Sequence, residues 1–141
     1  MLTAEAVHLT TIADCYGAPL AEYYFFPDHS LLYISWHGQL TAAEVIRGVL
    51  EGTRLLEKHA FQRILNDKRD TGGDWSEALP WLEYEWLPKA IAACLRAIAY
   101  ILSPNLDAQI VSHKFVEAVQ GQIQISLFTN EEDAREWLEI Q

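Results

Sequence analysis

Cysteine and positive charge are both scarce in this chain, and each shortage closes off a class of protein. The two cysteines, Cys15 and Cys94, have no CxxC or Cys/His spacing. Neither a zinc site nor a disulfide framework is expected, since both need clustered thiols; reduced, partly buried thiols are. Ten Lys and Arg face twenty Asp and Glu, a formal net charge of -10, and the cations are scattered. Such a surface repels nucleic acid and anionic membranes, because each phosphate contact needs a local cation. Long apolar runs are missing too. None reaches the roughly 20 residues that cross a bilayer, and the opening MLTAEAVHL lacks the basic segment of a secretory signal, so a cytoplasmic protein is expected. No GxSxG or Walker motif occurs, and no histidine pair has the i, i+4 metal spacing with an acid between. No catalytic residue, metal or cofactor is therefore expected.

What the chain does have is apolar content, half of its 141 residues, which suits a single domain over residues 1–141. Its first third reads as strands. Val7, Leu9 and Thr11 alternate with more polar neighbours. LAEYYFF and SLLYISW then flank Pro27-Asp28-His29-Ser30, where proline presets the turn and the aspartate can cap it, predicting an antiparallel hairpin. Thr41-Ala42-Ala43-Glu44 has capping-box spacing and opens a helix with Ala42, Val45, Ile46, Val49 and Leu56 along one face. FQRILN predicts a strand, followed by a loop over Asp67 to Gly73. In DWSEALPWLEYEWLPKAIAACL, Pro80 and Pro88 predict a broken helix that restarts at each proline. RAIAYIL reads as a central parallel strand covered on both faces. The next helix turns Ala108, Val111, Phe115, Ala118 and Val119 inward and stops at Gly121. QIQISLF alternates like an edge strand, and Thr129-Asn130-Glu131-Glu132 caps a last helix with Ala134, Trp137 and Leu138 inward. This order predicts an α/β fold with a mixed, mostly parallel sheet, an N-terminal antiparallel hairpin and about four helices.

Parallel strands point their carboxyl ends to one rim, and open α/β folds bind ligands there, near a switch in strand order. The rim should gather His37 and Gly38, Asp67 to Gly73, Ser103, Pro104 and Thr129, making His37, Asp67, Arg69 and Thr71 candidate ligand or partner residues. The stretch ILNDKRDTGGDW has an acid where a phosphate loop needs lysine. It reads as a turn: Asn66 and Asp67 tie the strand end, Lys68 and Arg69 balance the acids, and Gly72-Gly73 precede a capping Asp74. A rival use of the same loop is acid–base chemistry by His37 with Asp67 or Asp70, since a carboxylate can orient an imidazole. Downstream, Trp75, Leu79, Leu82 and Trp86 form one helical stripe, and Trp81, Tyr84 and Pro88 another. One stripe can enter the core. The second is expected to be exposed, to cover the rim or to meet a second subunit, unless a bend packs both. Trp75, Trp81 and Tyr84 therefore join the candidates, while Glu77, Glu83 and Glu85 argue against membrane insertion.

The run through FQRILND, the segment WLEYEWLPKAIAACLRAIAYIL and the tail ISLFTNEEDAREWL together resemble the SpoIIAA-like, STAS-type domains of bacteria. The likeness covers most of the chain after about residue 20, with residues 1–19 as an added N-terminal strand. It implies a non-enzymatic regulatory domain acting through protein contacts, and the surplus aromatic stripe adds the expectation of a homodimer. In the anti-sigma-factor antagonists of that family, a serine just after the aspartate that ends the third core strand is phosphorylated, adding charge at a helix start. Asp67 matches that aspartate, but Lys68 follows it, and the nearest hydroxyls are Thr71 and Ser76. Phosphorylation control is not expected. The alternative function is a binding module for a small amphipathic or lipid-like ligand, held between the aromatic helix and the rim by Trp75, Trp81, His37 and Arg69.

Overall fold

The computed structural model describes residues 6–141; the first five residues of the expected added segment lie outside the described residues. Strands β1 (Val7–Ala13), β2 (Pro19–Phe26), β3 (Leu31–Gln39), β4 (Arg63–Gly72), β5 (Ala97–Ile101) and β6 (Gln124–Phe128) form one mixed sheet in the order β1-β2-β3-β4-β5-β6. The first three strands pair antiparallel and the rest parallel. The hairpin predicted around Pro27 is present. A 3-10 turn over Pro27–His29 joins β2 to β3, with Ser30 in the left-handed region at φ 50° and its N–H on the Pro27 carbonyl; no capping bond from Asp28 is formed.

Helix α1 (Ala42–His59) follows β3 and begins with the expected capping box, Thr41 and Glu44 each accepting from the other's backbone N–H. Val45 and Leu56 are buried on the predicted face, joined by Leu55, Gly48 and Gly52. Gly48 marks a close approach: a Cβ there would lie 2.3 Å from the Trp36 ring, and the buried Tyr23 hydroxyl donates to the Gly48 carbonyl at 2.6 Å.

The broken helix is instead one continuous helical run over residues 76–92. It comprises a 3-10 turn Ser76–Ala78, α2 (Leu79–Trp81), a π-helical turn Leu82–Trp86 and α3 (Leu87–Ala92). Pro80 sits in a first turn, where its missing N–H costs nothing. Pro88 would crowd the carbonyl four residues back, and the wide π turn just before it absorbs that conflict without ending the helix.

Helix α4 (Leu106–Val119) is capped by Asn105, and α5 (Glu131–Glu139) by Asn130. Ser112 and Val116 are buried in α4, whereas Ala118, expected inside, is exposed. That shift leaves the inner face on residues 108, 111, 112, 115, 116 and 119, the spacing of a helix seated squarely on a sheet.

The sheet order contains no reversal, contrary to the expected switch point. Each right-handed crossover advances one strand in the same direction, so α1, the aromatic helix and α4 all lie on one face. Their core joins Leu32, Ile34, Trp36, Ile64, Ile98 and Tyr100 to Leu56, Leu82 and Phe115. Helix α5 covers the other face, packing Ala134 and Leu138 on Phe26, Leu65, Ala97, Ala99 and Ile101. Strand β5 is thus buried at every position, as its unbroken apolar run requires. Because α5 packs chiefly on β4, β5 and β6, Glu22 and Tyr24 of β2 and Ser35 and His37 of β3 stay half-exposed. Both cysteines lie in turns and are exposed, not partly buried. No described helix is long and apolar enough to cross a membrane.

Candidate functional site

The charged stretch read as a loop is a strand. Asp67 is the last β4 residue paired to β5, at Ile101, yet β4 continues to Gly72 against the end of β3, with His37 opposite Asp70 and Thr71 opposite Gly38. Those pairings let 68–72 satisfy its backbone without a loop. The turn comes only at Gly73, whose φ of 93° puts a hypothetical Cβ 2.6 Å from the Leu40 carbonyl, so only glycine fits. Asp74 then caps as expected, accepting from Ser76 N–H at 2.9 Å.

A bulge interrupts the β3–β4 ladder: between the pairs Ser35–Asp67 and His37–Asp70, Trp36 alone faces both Lys68 and Arg69. Before it, side chains alternate. Asn66 turns to the three-helix side and accepts from Trp36 Nε1 at 2.9 Å, while Asp67 turns to the α5 side and accepts from the Tyr33 hydroxyl at 2.5 Å. Lys68 points back among the three helices. After it, the extra residue brings both Arg69 and Asp70 to the α5 side, where each finds a partner.

Two polar clusters result. In the first, Arg69 holds Asp67 through Nε at 2.9 Å and Nη2 at 2.5 Å and reaches Glu131 of α5 at 3.2 Å. Burial alone would raise the Asp67 pKa, but the bonds from Arg69 and Tyr33 outweigh it and hold the carboxyl below its ordinary range. Burial and the Asp67 charge push the Tyr33 phenol up. In the second cluster the His37 ring bridges two carboxylates, Nδ1 to Asp70 at 2.7 Å and Nε2 to Glu22 at 2.7 Å. Burial of the ring opposes its charge, yet the bonds to Asp70 and Glu22 prevail and raise its pKa. Ser35 Oγ lies 3.3 Å from the same Nε2. With both ring nitrogens engaged by carboxylates, the ring bridges the two acids and neither nitrogen is left free. His37 and Asp67 do not bond to each other; their partners are Asp70 and Glu22, and Tyr33 and Arg69.

The remaining candidates are distributed. Thr71 is buried and its hydroxyl donates to the Lys68 carbonyl at 2.7 Å. An open crevice of about 460 Å³ runs along the rim between Gly38, Gln39, Arg69, Asp70 and Pro104. Trp75 is fully buried, as its stripe predicts, with Leu82 and Trp86. Trp81 packs partly against the core, and Tyr84 is 68 % exposed, so the second stripe divides between packing and solvent. Arg69 does balance the acids, but Lys68 does not. It is 2 % exposed, with Nζ 4.3 Å from the centre of the Trp36 ring, 4.5 Å from Trp75 and 5.9 Å from Tyr100. Burial brings its pKa down from 10.5 to about 7.

Sequence reasoning passed over Glu22, Tyr33, Ser35 and Glu131. A signal for three of them existed: with the hairpin register set at Pro27, the period-two alternation places Glu22, Tyr33, Ser35 and His37 on one face. Glu131 had a different signal: it opens α5 two residues after Thr129, which the strand order puts on the same rim.

A mixed sheet flanked by three helices on one side and one on the other, with its polar clusters at the strand tips, defines an α/β domain of the STAS-like type. The chain belongs to the SpoIIAA-like family, whose model matches residues 31–139. Neither a curated protein nor a solved structure matches the chain. Lys68 follows Asp67, and its side chain lies in the core.

Proposed function

We propose that the protein is a non-enzymatic regulatory domain that binds another protein, or a second copy of itself, at its strand-tip rim. The carrying observation is the pair of clusters Glu22–His37–Asp70, on the part of the sheet that α5 leaves uncovered, and Asp67–Arg69–Glu131 at the start of α5, both next to the rim crevice. Family membership supports a regulatory, protein-binding role. The engaged state of both His37 nitrogens supports binding over acid–base chemistry. Tyr84 supplies an exposed aromatic of the kind found at interface centres, which favours a homodimer through the aromatic helix. The test combines light scattering with partner co-purification for the wild type and for His37→Ala, Asp70→Asn and Tyr84→Ala. Loss of a partner, or of a dimer, in a folded variant supports the reading. A strict monomer whose three variants keep every partner overturns it.

A second reading is favoured by a specific feature. Between α1, the aromatic helix and the sheet lies a cavity of about 30 Å³, bordered by Trp36, Gly52, Asn66, Lys68, Trp75 and Trp86. Here we propose a small amphipathic ligand, whose apolar part would meet the rings and whose polar end would meet Lys68. Quenching of tryptophan fluorescence by propionate, short enough for this cavity, in the wild type, and its absence in Gly52→Val, would bear this out. An unchanged spectrum would count against it.

A further inference from the structure

We propose that Lys68 is a nucleophilic amine that captures a small aliphatic aldehyde inside the cavity as an imine. The inference rests on the second reading for the presence of a ligand and adds the chemistry by which it is held.

Three independent features of the molecule converge on this point. The first is the amine itself. Lys68 Nζ makes no hydrogen bond and no ion pair among the described residues, and its nearest neighbours are aromatic rings. A buried lysine in such a setting sheds its proton easily, which frees the lone pair that attacks carbonyls; the fall of its pKa to about 7 agrees with this. The second is Trp75, fully buried, whose indole N–H has no acceptor. Asn66 Oδ1 is taken by Trp36, and Thr53 Oγ1 by Trp86 at 3.1 Å. A residue bordering the cavity thus carries an N–H without an acceptor, and a carbonyl oxygen is a neutral acceptor that can enter an apolar site at modest cost. The third is Gly52. It is buried in the middle of α1, yet a Cβ there would meet no atom within 4 Å. Alanine would suit the helix better, so the glycine leaves room at the cavity wall. A volume of about 30 Å³ is enough for one or two waters, or for an aldehyde of very few carbons, without moving the helix.

The chemistry balances. The Lys68 nitrogen lone pair forms a C–N bond to the aldehyde carbon, and the carbonyl π electrons become an alkoxide on oxygen that Trp75 N–H can stabilise. The two amine protons leave with that oxygen as one water, giving a C=N imine without any change of oxidation state. No other lysine has this environment: Lys58, Lys89 and Lys114 are exposed.

The probe is acetaldehyde, with cyanoborohydride to reduce any imine, applied to the full chain at neutral pH and followed by peptide mapping. Lys68 is expected to be ethylated on the order of ten-fold faster than the exposed Lys58, Lys89 and Lys114. Lys68→Met should remove the fast adduct, and Gly52→Val, which fills the cavity, should slow it to or below the rate of the exposed lysines. Circular dichroism confirms folding, with Gly52→Ala as the milder variant. Ethylation of Lys68 no faster than the other three, or equally fast in folded Gly52→Val, overturns the proposal. Propionate separates it from the reading beneath: propionate quenching without Lys68 ethylation sinks the imine alone, and rapid Lys68 ethylation without propionate quenching sinks the wider amphipathic ligand while the imine stands.

Discussion

At the residue scale, two ionisable groups work in opposite directions. Lys68 is held in the core with its pKa brought down from 10.5 to about 7 by burial. Between those values the unfolded chain binds a proton that the folded chain does not, so stability rises with pH across this window and the penalty is complete below it. Lys68→Met keeps the volume and removes the charge. It is expected to raise stability below pH 7 by on the order of 2–4 kcal/mol and to abolish the slope between pH 7 and 10.5, read from urea midpoints across pH. His37 has the reverse sign. Its folded pKa lies above 6.5, so the stabilisation it provides is full below 6.5 and is lost as pH rises through the folded value. His37→Gln should cost less than about 1 kcal/mol, because the ring is partly solvated, and should remove the decline above 6.5 expected of the wild type. A variant with the same pH profile as the wild type would show that the two carboxylates do not hold the ring in solution.

At the scale of elements, α1 carries the sharpest contrast, because two of its glycines sit one turn apart in different surroundings. Gly48 lies against the Trp36 ring, 2.3 Å from where a Cβ would be. Gly48→Ala must displace a tryptophan that is bonded to Asn66, with an expected loss of about 1–3 kcal/mol. Gly52 faces open space, so Gly52→Ala is expected to gain about 0.5–1 kcal/mol from helix propensity alone. Thermal melts of the two variants check both, and a shared sign would mean that the helix sits differently over the sheet. The strand stretch 63–72 teaches a second lesson about elements. Charge and glycine made Asp67 to Gly73 look like a loop, but the end of β3 was available as a ladder partner, and pairing satisfied a backbone that a loop would have left to water.

On the scale of the whole molecule, sequential strand order puts three helices on one face and one on the other. The single helix cannot cover six strands, and the uncovered tips of β2 and β3 are where Glu22, His37 and Asp70 collect. This uneven layering underlies the proposed contact surface. If Tyr84 belongs to a self-interface, Tyr84→Glu should shift the chain toward monomer by at least about ten-fold in dissociation constant, since a desolvated carboxylate at an interface centre costs more than about 1.4 kcal/mol. Sedimentation equilibrium measures it, and an unchanged constant would move any self-contact away from the aromatic helix.

By itself the sequence determined the α/β class, the hairpin at Pro27, the capping box at Thr41 and the apolar stripes that fill the core. All of these are local: a proline, a hydroxyl three residues from a glutamate, or a repeat of 3.6 or 2 carries its meaning in a few neighbouring side chains. It also placed His37 beside the charged stretch, because strand tips of parallel neighbours share a rim. Only the tertiary structure decided that Asp70 turns to the same side as Arg69, since a bulge of one extra residue reassigns the faces after it. It alone decided that Pro88 would widen a helical turn and not end it, and that His37 would bridge Glu22 and Asp70. Those outcomes depend on groups 15 and 33 residues away in the chain, and pairing at such range is set by register and layer packing, which no local window contains.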